Sequence, residues 1–162
     1  GCQVTGVDNE PDSLVTAIRR GVPVIDLDID TQLDQFASDG YEIVVLSQTL
    51  QATHRPAEIL AEVLRIAPAA IVSVPNFALW KHRASLLLRG RMPVSTELPH
   101  AWHATPNIHL ATLTDVEALF AELDMRVKKR VLLDAEGRAA AGLRARGPAN
   151  LMASGAVYLL GR

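Results

Sequence analysis

Apolar residues follow two rhythms along the chain, short β-branched runs and three- or four-residue steps, and the two rhythms alternate. Residues 3–8, Gln-Val-Thr-Gly-Val-Asp, read as a strand ending on an acid. Pro11 suits a first helical position, Leu14, Val15 and Ile18 share one face, and Gly21 supplies a left-handed stop, so a helix is expected there. Val22 to Asp26 reads as a second strand. Tyr41 to Leu46 is nearly continuous in apolar residues, the pattern of a central parallel strand covered on both faces. Pro56 opens a further helix with Ile59, Leu60, Val63, Leu64 and Ile66 toward the core; Pro68 closes it, and Ala69 to Val74 follows as a strand. Repeated β-α-β units of this length predict an α/β fold with a parallel sheet and right-handed crossovers.

From Pro75 to Thr112 the rhythm breaks. This stretch holds Pro75, Pro93, Pro99 and Pro106, both tryptophans and four of the five histidines, and it reads as an irregular functional insertion at 75–112. Order returns at Thr114-Asp115-Val116-Glu117, a capping box ahead of a helix that buries Val116, Leu119, Phe120 and Leu123. Arg126 to Asp134 and Gly155 to Gly161 read as two closing antiparallel strands, the first an edge guarded by Lys128, Lys129 and Arg130. Residues 135–150, rich in Ala, Gly and Arg, read as the loop between them. A single domain over 1–162 is expected.

Composition narrows the class. A chain of 162 residues buries roughly two thirds of its unfolded surface, enough for a core without staples. With 49% hydrophobic residues and a net charge of −2, it is no disordered tail. The balance of 16 Lys and Arg against 18 Asp and Glu gives no support to nucleic-acid binding driven by charge. No apolar run approaches the roughly 20 residues of a membrane span, and no basic-then-apolar leader precedes residue 10, so a soluble, cytoplasmic protein is expected. Cys2 is the single cysteine, which excludes an internal disulfide and argues against a thiolate metal site.

Ligands of doubly wound sheets bind beyond the carboxyl ends of the strands. Asp8 ends the first strand, where a carboxylate can accept from ribose hydroxyls, and Asp28 follows the second, where it can accept from an adenine amino group. Equally open from spacing alone, Asp8 caps the helix at Pro11 and Asp28 is one of several solvated acids. Ser47 and Gln48 follow the next strand and can orient a ligand, with Leu50 packed on a flat base; the alternative is a polar loop leading into a helix. Asn76 is the polar candidate at the following strand end, or else the head of an Asx-turn. His100 and His103 lack a partner carboxylate at a metal-binding spacing, so no metal site is expected. His109 is the better acid/base candidate. Lys81, His82, Arg83, Arg89 and Arg91 can grip a phosphate or an acidic partner, or form a solvated helix face.

Several longer blocks carry a resemblance. Ser47-Gln-Thr-Leu-Gln-Ala52, Pro75-Asn-Phe77 with Trp80, Leu87-Leu-Arg-Gly-Arg-Met-Pro93, Thr105-Pro-Asn-Ile-His-Leu110, Asn150-Leu-Met-Ala153 and Ala156-Val-Tyr-Leu-Leu160 together closely resemble the methionine biosynthesis protein MetW family. The resemblance spans essentially the whole chain. It implies a Rossmann-like class I S-adenosylmethionine-dependent methyltransferase fold with an antiparallel last strand. It also implies that Asp8 and Asn9 sit at the ribose, Asp28 and Ile29 beside the adenine, and Ser47 and Gln48 after the family's fourth strand. The family's first strand, first helix and glycine-rich turn have no counterpart after Gly1, so the chain reads as an amino-terminally incomplete domain with an open slot in its sheet.

What the resemblance implies for function is a subunit that binds S-adenosylmethionine or S-adenosylhomocysteine and supports a homoserine O-acyltransferase of the MetX type. The insertion, with Trp80, Arg83, Arg89, Arg91 and Trp102, would then present a partner surface. The alternative is a true methyltransferase acting on a small molecule, with Asn76, His103 and His109 as the candidate catalytic groups. A nicotinamide-dependent oxidoreductase is a third reading of Asp8, which the resemblance disfavours.

Overall fold

Two parallel pairs of short strands organise the chain, each pair joined by a helix that crosses back from one strand to the next. The structure, a computed structural model, describes residues 2–96, 98–140 and 146–162. Strand β1 (Gly6–Asp8), helix α1 (Pro11–Arg19) and strand β2 (Val24–Asp26) form the first unit, with Gly6 opposite Val24 and Asp8 opposite Asp26. Gly21, at φ 73°, makes the left-handed turn that ends α1. The second unit comprises β3 (Val44–Ser47), α2 (Pro56–Ile66) and β4 (Ala69–Pro75), paired in parallel from Val44–Ala70 to Ser47–Ser73. Then come α3 (Trp80–Arg89), α4 (Leu113–Glu122), β5 (Arg126–Leu133), α5 (Arg146–Met152) and β6 (Gly155–Gly161). Strand β6 inserts antiparallel between β4 and β5, giving a mixed sheet ordered β3-β4-β6-β5 beside the separate β1-β2 pair. Strand β5 is an edge, as its lysines predicted, and a bulge between Val127 and Lys129 breaks its register.

One face of the larger sheet is dry. Val72 and Val74 of β4 and Tyr158 and Leu160 of β6 meet Leu60 and Val63 of α2 and Leu113 and Phe120 of α4 in a single cluster. Each such side chain contributes roughly 1.5–3 kcal/mol when fully buried. The rings of Phe120 and Tyr158 meet edge to face at 5.2 Å. The Tyr158 hydroxyl donates to Glu117 Oε1 at 3.1 Å, and Arg130 donates to the same oxygen at 2.7 Å. Burial, and then the charge of Glu117, push the Tyr158 phenol well above its ordinary range.

The β1-β2 unit is tied to this core through the segment that follows it. Ile29 and Leu33 pack against the core cluster. Arg65 of α2 donates to the carbonyls of Phe36 at 2.8 Å and Leu33 at 3.0 Å. Asp30 accepts from the His54 and Arg55 amides at 2.9 and 3.3 Å, just ahead of α2. Burial works to raise the Asp30 pKa, yet the hydrogen bonds from His54 and Arg55 hold it below the usual carboxylate value.

Four expectations need correction. Tyr41 to Leu46 is not a strand covered on both faces: β3 starts at Val44, pairs only with β4 among the described residues, and leaves Tyr41, Ile43 and Val45 exposed by alternation. The irregular stretch at 75–112 contains the helix α3. The capping box of α4 lies two residues earlier than expected: Thr112 Oγ1 accepts from the Asp115 amide at 3.2 Å, and Asp115 accepts from the Thr112 amide at 2.9 Å. Finally, the loop at 135–150 gives way to α5 from Arg146, while 141–145 lie outside the described residues.

Candidate functional site

The carboxyl ends of β1, β2 and β3 carry the candidate ligand-binding residues, because side chains just past a parallel strand face the crevice beyond the sheet. Asp8 closes β1 half-buried, and its Oδ1 accepts from the Glu10 amide at 2.9 Å, an Asx-turn leading into α1. Among the described residues its second oxygen has no partner. Asn9 beside it is exposed. The Leu27 amide donates to the Asp8 carbonyl at 3.1 Å, which holds the two strand ends together and sets Asp28 one residue beyond. Asp28 is more committed than the spacing suggested. Its Oδ1 accepts from the Asp30 amide at 2.9 Å and its Oδ2 from the Thr31 hydroxyl at 3.2 Å. Ile29 is partly buried and packs against the core cluster.

Beyond β3 the backbone changes hand. Gln48 has φ 52°, a left-handed conformation that costs a residue with a long side chain about 1 kcal/mol or more. Two hydrogen bonds hold it there: its amide donates to Ser73 Oγ at 2.9 Å and to the Ser73 carbonyl at 3.1 Å. Ser47 and Gln48 are exposed and border an open hollow of about 550 Å³ along the uncovered face of the sheet, floored by Val45, Ile71 and Val157. Asp134 and Glu136 stand on its far side. The Asp134 carboxyl is held below its usual value, first by the Arg138 amide. Leu50 does not lie open for a base to stack on; it is buried in the core, where the short turn Leu50–Ala52 carries it.

Two residues outside the expected set support this strand end. Gln51 is buried and donates from Nε2 to the Gln48 carbonyl at 2.7 Å, while its own carbonyl accepts from the Ile108 and His109 amides at 2.9 and 3.0 Å. It thus fastens the 108–109 segment to the end of β3, and its Oε1 has no partner among the described residues. Ser73 is the other, and its signal in the sequence was a lone hydroxyl inside an apolar strand.

The remaining candidates lie elsewhere. Asn76 is fully buried, and its amide is used on both sides: Nδ2 donates to the Asn150 and Ala153 carbonyls at 2.9 and 2.8 Å, and Oδ1 accepts from the Ala78 amide at 3.0 Å. It clasps the turn after β4 to α5 and has no donor left for a ligand. The rings of His103 and Trp102 meet edge to face at 5.4 Å, and His103 and His109 are exposed. Among the described residues no group of three or more His, Cys, Asp or Glu converges as a metal site would require, and no helix is long and apolar enough to cross a membrane.

Comparison with known proteins supplies the context. A bifunctional methionine biosynthesis protein MetXA/MetW from Rhodopirellula baltica is 35% identical over 135 residues, covering 83% of this chain and 22% of that protein. The chain therefore spans about a fifth of that relative's length. Among solved structures, an S-adenosylmethionine-dependent methyltransferase from Thermotoga maritima superposes with a TM-score of 0.67 at 13% identity, over 97% of this chain and 72% of the other. One from Mesorhizobium loti gives 0.67 at 14%, over 100% and 82%. The [4+2]-cyclase SpnF gives 0.64 at 14%, over 99% and 66%, so this architecture does not by itself specify a reaction. These likenesses establish the class I methyltransferase-like fold. The family described as methionine biosynthesis protein MetW matches residues 1–160, and the chain belongs to that family.

Proposed function

We propose that this chain binds S-adenosylmethionine or S-adenosylhomocysteine beyond β1, β2 and β3 and, in that state, supports a homoserine O-acyltransferase of the MetX type in methionine biosynthesis. The observation that carries the cofactor half is Asp8: a carboxylate at the end of a parallel strand, with one oxygen fixed by the Glu10 amide and the other without a partner among the described residues, fits a ribose diol. Asn9 lies beside it. Asp28 and Ile29 would flank the adenine, with the Asp28 carboxylate already oriented by Asp30 and Thr31. Ser47 and the left-handed Gln48 would line the crevice beyond β3, and strain held at a strand end is a common mark of a preorganised site. When bound, the cofactor supplies an activated methyl group or, once demethylated, the same recognition elements without it.

The partnership is supported by the relative that carries both names on one chain. Methionine biosynthesis goes with a cytoplasmic location. Strands β1 and β3 each leave one edge unpaired among the described residues, which supports a further strand and a glycine-rich turn seated between them. The methyltransferase alternative draws less support, because Asn76 has no free donor and the rings of His103 and His109 stand in solvent.

Calorimetric titration with S-adenosylhomocysteine tests the cofactor half, using the chain itself and a form extended at its amino end. Tighter binding by the extended form is expected, with at least a tenfold loss on Asp8→Ala, about 1.4 kcal/mol. Equal affinity of the wild type and Asp8→Ala would contradict the assignment.

A further inference from the structure

Helix α3 carries its large apolar residues outward. Leu87 is 84% exposed, Leu88 79% and Trp80 47%, and their spacing of seven and eight residues sets them on one face. On the opposite side His82 is buried, with Nε2 3.0 Å from Ser95 Oγ. The stretch after α3 is folded back onto it, since Ser85 Oγ donates to the Arg91 carbonyl at 3.1 Å. Met92 and Val94 are exposed on that stretch, while Pro93 between them is buried. In α2, by contrast, Ile59, Leu60, Val63, Leu64 and Ile66 are all buried.

Charge distinguishes this face as well. Segment 76–112 holds Lys81, Arg83, Arg89 and Arg91 with Glu97 as its single acid, in a chain that is net acidic. None of those four cations forms an ion pair among the described residues, although seven pairs form elsewhere. Arg83 is held at home by a hydrogen bond from Nε to the Ala78 carbonyl at 2.7 Å; Lys81, Arg89 and Arg91 are exposed and have no such tie among the described residues. An apolar strip with exposed cations around it is complementary to an apolar groove rimmed with carboxylates. Two copies of the chain meeting through this face would set like charges against each other, which disfavours self-pairing.

We infer that the outward face of α3, centred on Leu87 and Leu88, with Lys81 beside it and Arg89 and Arg91 at its carboxyl end, is the docking surface for the acyltransferase, and that it engages an acid-rimmed apolar groove on that enzyme. The inference rests on the partnership proposed above and names the surface that carries it. None of Leu87, Leu88, Lys81, Arg89 and Arg91 is among the residues proposed above to hold the cofactor, so the two can be perturbed separately.

The test measures association of the protein with the MetX-type acyltransferase by surface plasmon resonance. It uses wild type, a Leu87→Ser and Leu88→Ser double variant, and an Arg89→Glu and Arg91→Glu double variant. Each double variant is expected to weaken association at least tenfold, with circular dichroism and melting temperature unchanged because all four side chains are exposed. Added salt should weaken wild-type association and have little effect on the charge-reversed variant. If wild type associates and both variants keep its affinity, the face is wrongly assigned while the partnership stands. If wild type does not associate at all, the partnership reading falls and this one with it. Two results would also overturn it: binding to phosphatidylserine vesicles, or self-association, that is lost in the variants while acyltransferase affinity is kept.

Discussion

Replacing Asn76 by alanine separates a structural role at the end of β4 from a ligand-binding one. The side chain is fully buried and makes three hydrogen bonds of 2.8–3.0 Å, to the carbonyls of Asn150 and Ala153 and from the amide of Ala78. At about 1 kcal/mol net for each bond, plus the cost of partners left buried and unpaired, the loss is roughly 3–5 kcal/mol. A domain of this size loses roughly 2–4 °C of melting temperature per kcal/mol, so Asn76→Ala should melt about 10 °C lower. Asn76→Asp should fare no better, because it sets a carboxylate against two carbonyl oxygens in place of a donor. Thermal and urea denaturation followed by circular dichroism measure both variants. Well below the melting point, the folded Asn76→Ala protein should bind S-adenosylhomocysteine as the wild type does. A melting shift under about 3 °C, roughly 1 kcal/mol, together with lost ligand affinity, would refute the clasp and return Asn76 to the candidate ligand set.

Other consequences follow from particular contacts. The unfolded chain releases the Tyr158 proton near pH 10, whereas the folded chain holds it to higher pH, so stability should fall as pH rises above about 10. In a Tyr41→Phe background, tyrosinate absorbance should rise only as the fold is lost; a rise in fully folded protein would count against the buried phenol. A β-carbon added to Gly155 would meet the Val74 carbonyl oxygen at 2.7 Å, so Gly155→Ala should cost roughly 1–3 kcal/mol in urea denaturation. A change near zero would show that β4 and β6 can shift apart. Thr112→Ala removes one half of the α4 capping box and should cost about 1 kcal/mol, whereas Thr114→Ala should cost much less. The reverse order would restore the box to Thr114 and Glu117.

Elements that face a core were legible where propensity and burial agree. The five inward residues of α2, bounded by Pro56 and Pro68, are all buried, and β6 spans Gly155–Gly161 as its pattern predicted. Helix α3 was legible only as the solvated helix face offered for Lys81 to Arg91, because its apolar residues face outward and the surrounding prolines dominate the pattern. The capping box was displaced because Thr112 and Thr114 both precede an acid by three residues, and only the path of the chain selects between them. In β3, exposure depends on what covers each face of the sheet, which a local apolar run does not report. The candidate site followed the same division. Strand-end logic placed Asp8, Asp28, Ser47 and Gln48 at or just past the carboxyl ends of β1, β2 and β3, and they lie there. It did not reach the side-chain bonds that commit Asp28 to a turn, Asn76 to a clasp and Gln51 to a buried brace, since each is set by backbone from other parts of the chain.

The most direct test of the account is an acyl-transfer assay on the MetX-type homoserine O-acyltransferase, titrated with this protein with and without S-adenosylmethionine or S-adenosylhomocysteine. The account predicts a saturable change in acyl-transfer rate that depends on the nucleoside ligand and is reduced by Asp8→Ala. An acyltransferase rate unaffected by the protein at every ligand concentration would contradict it.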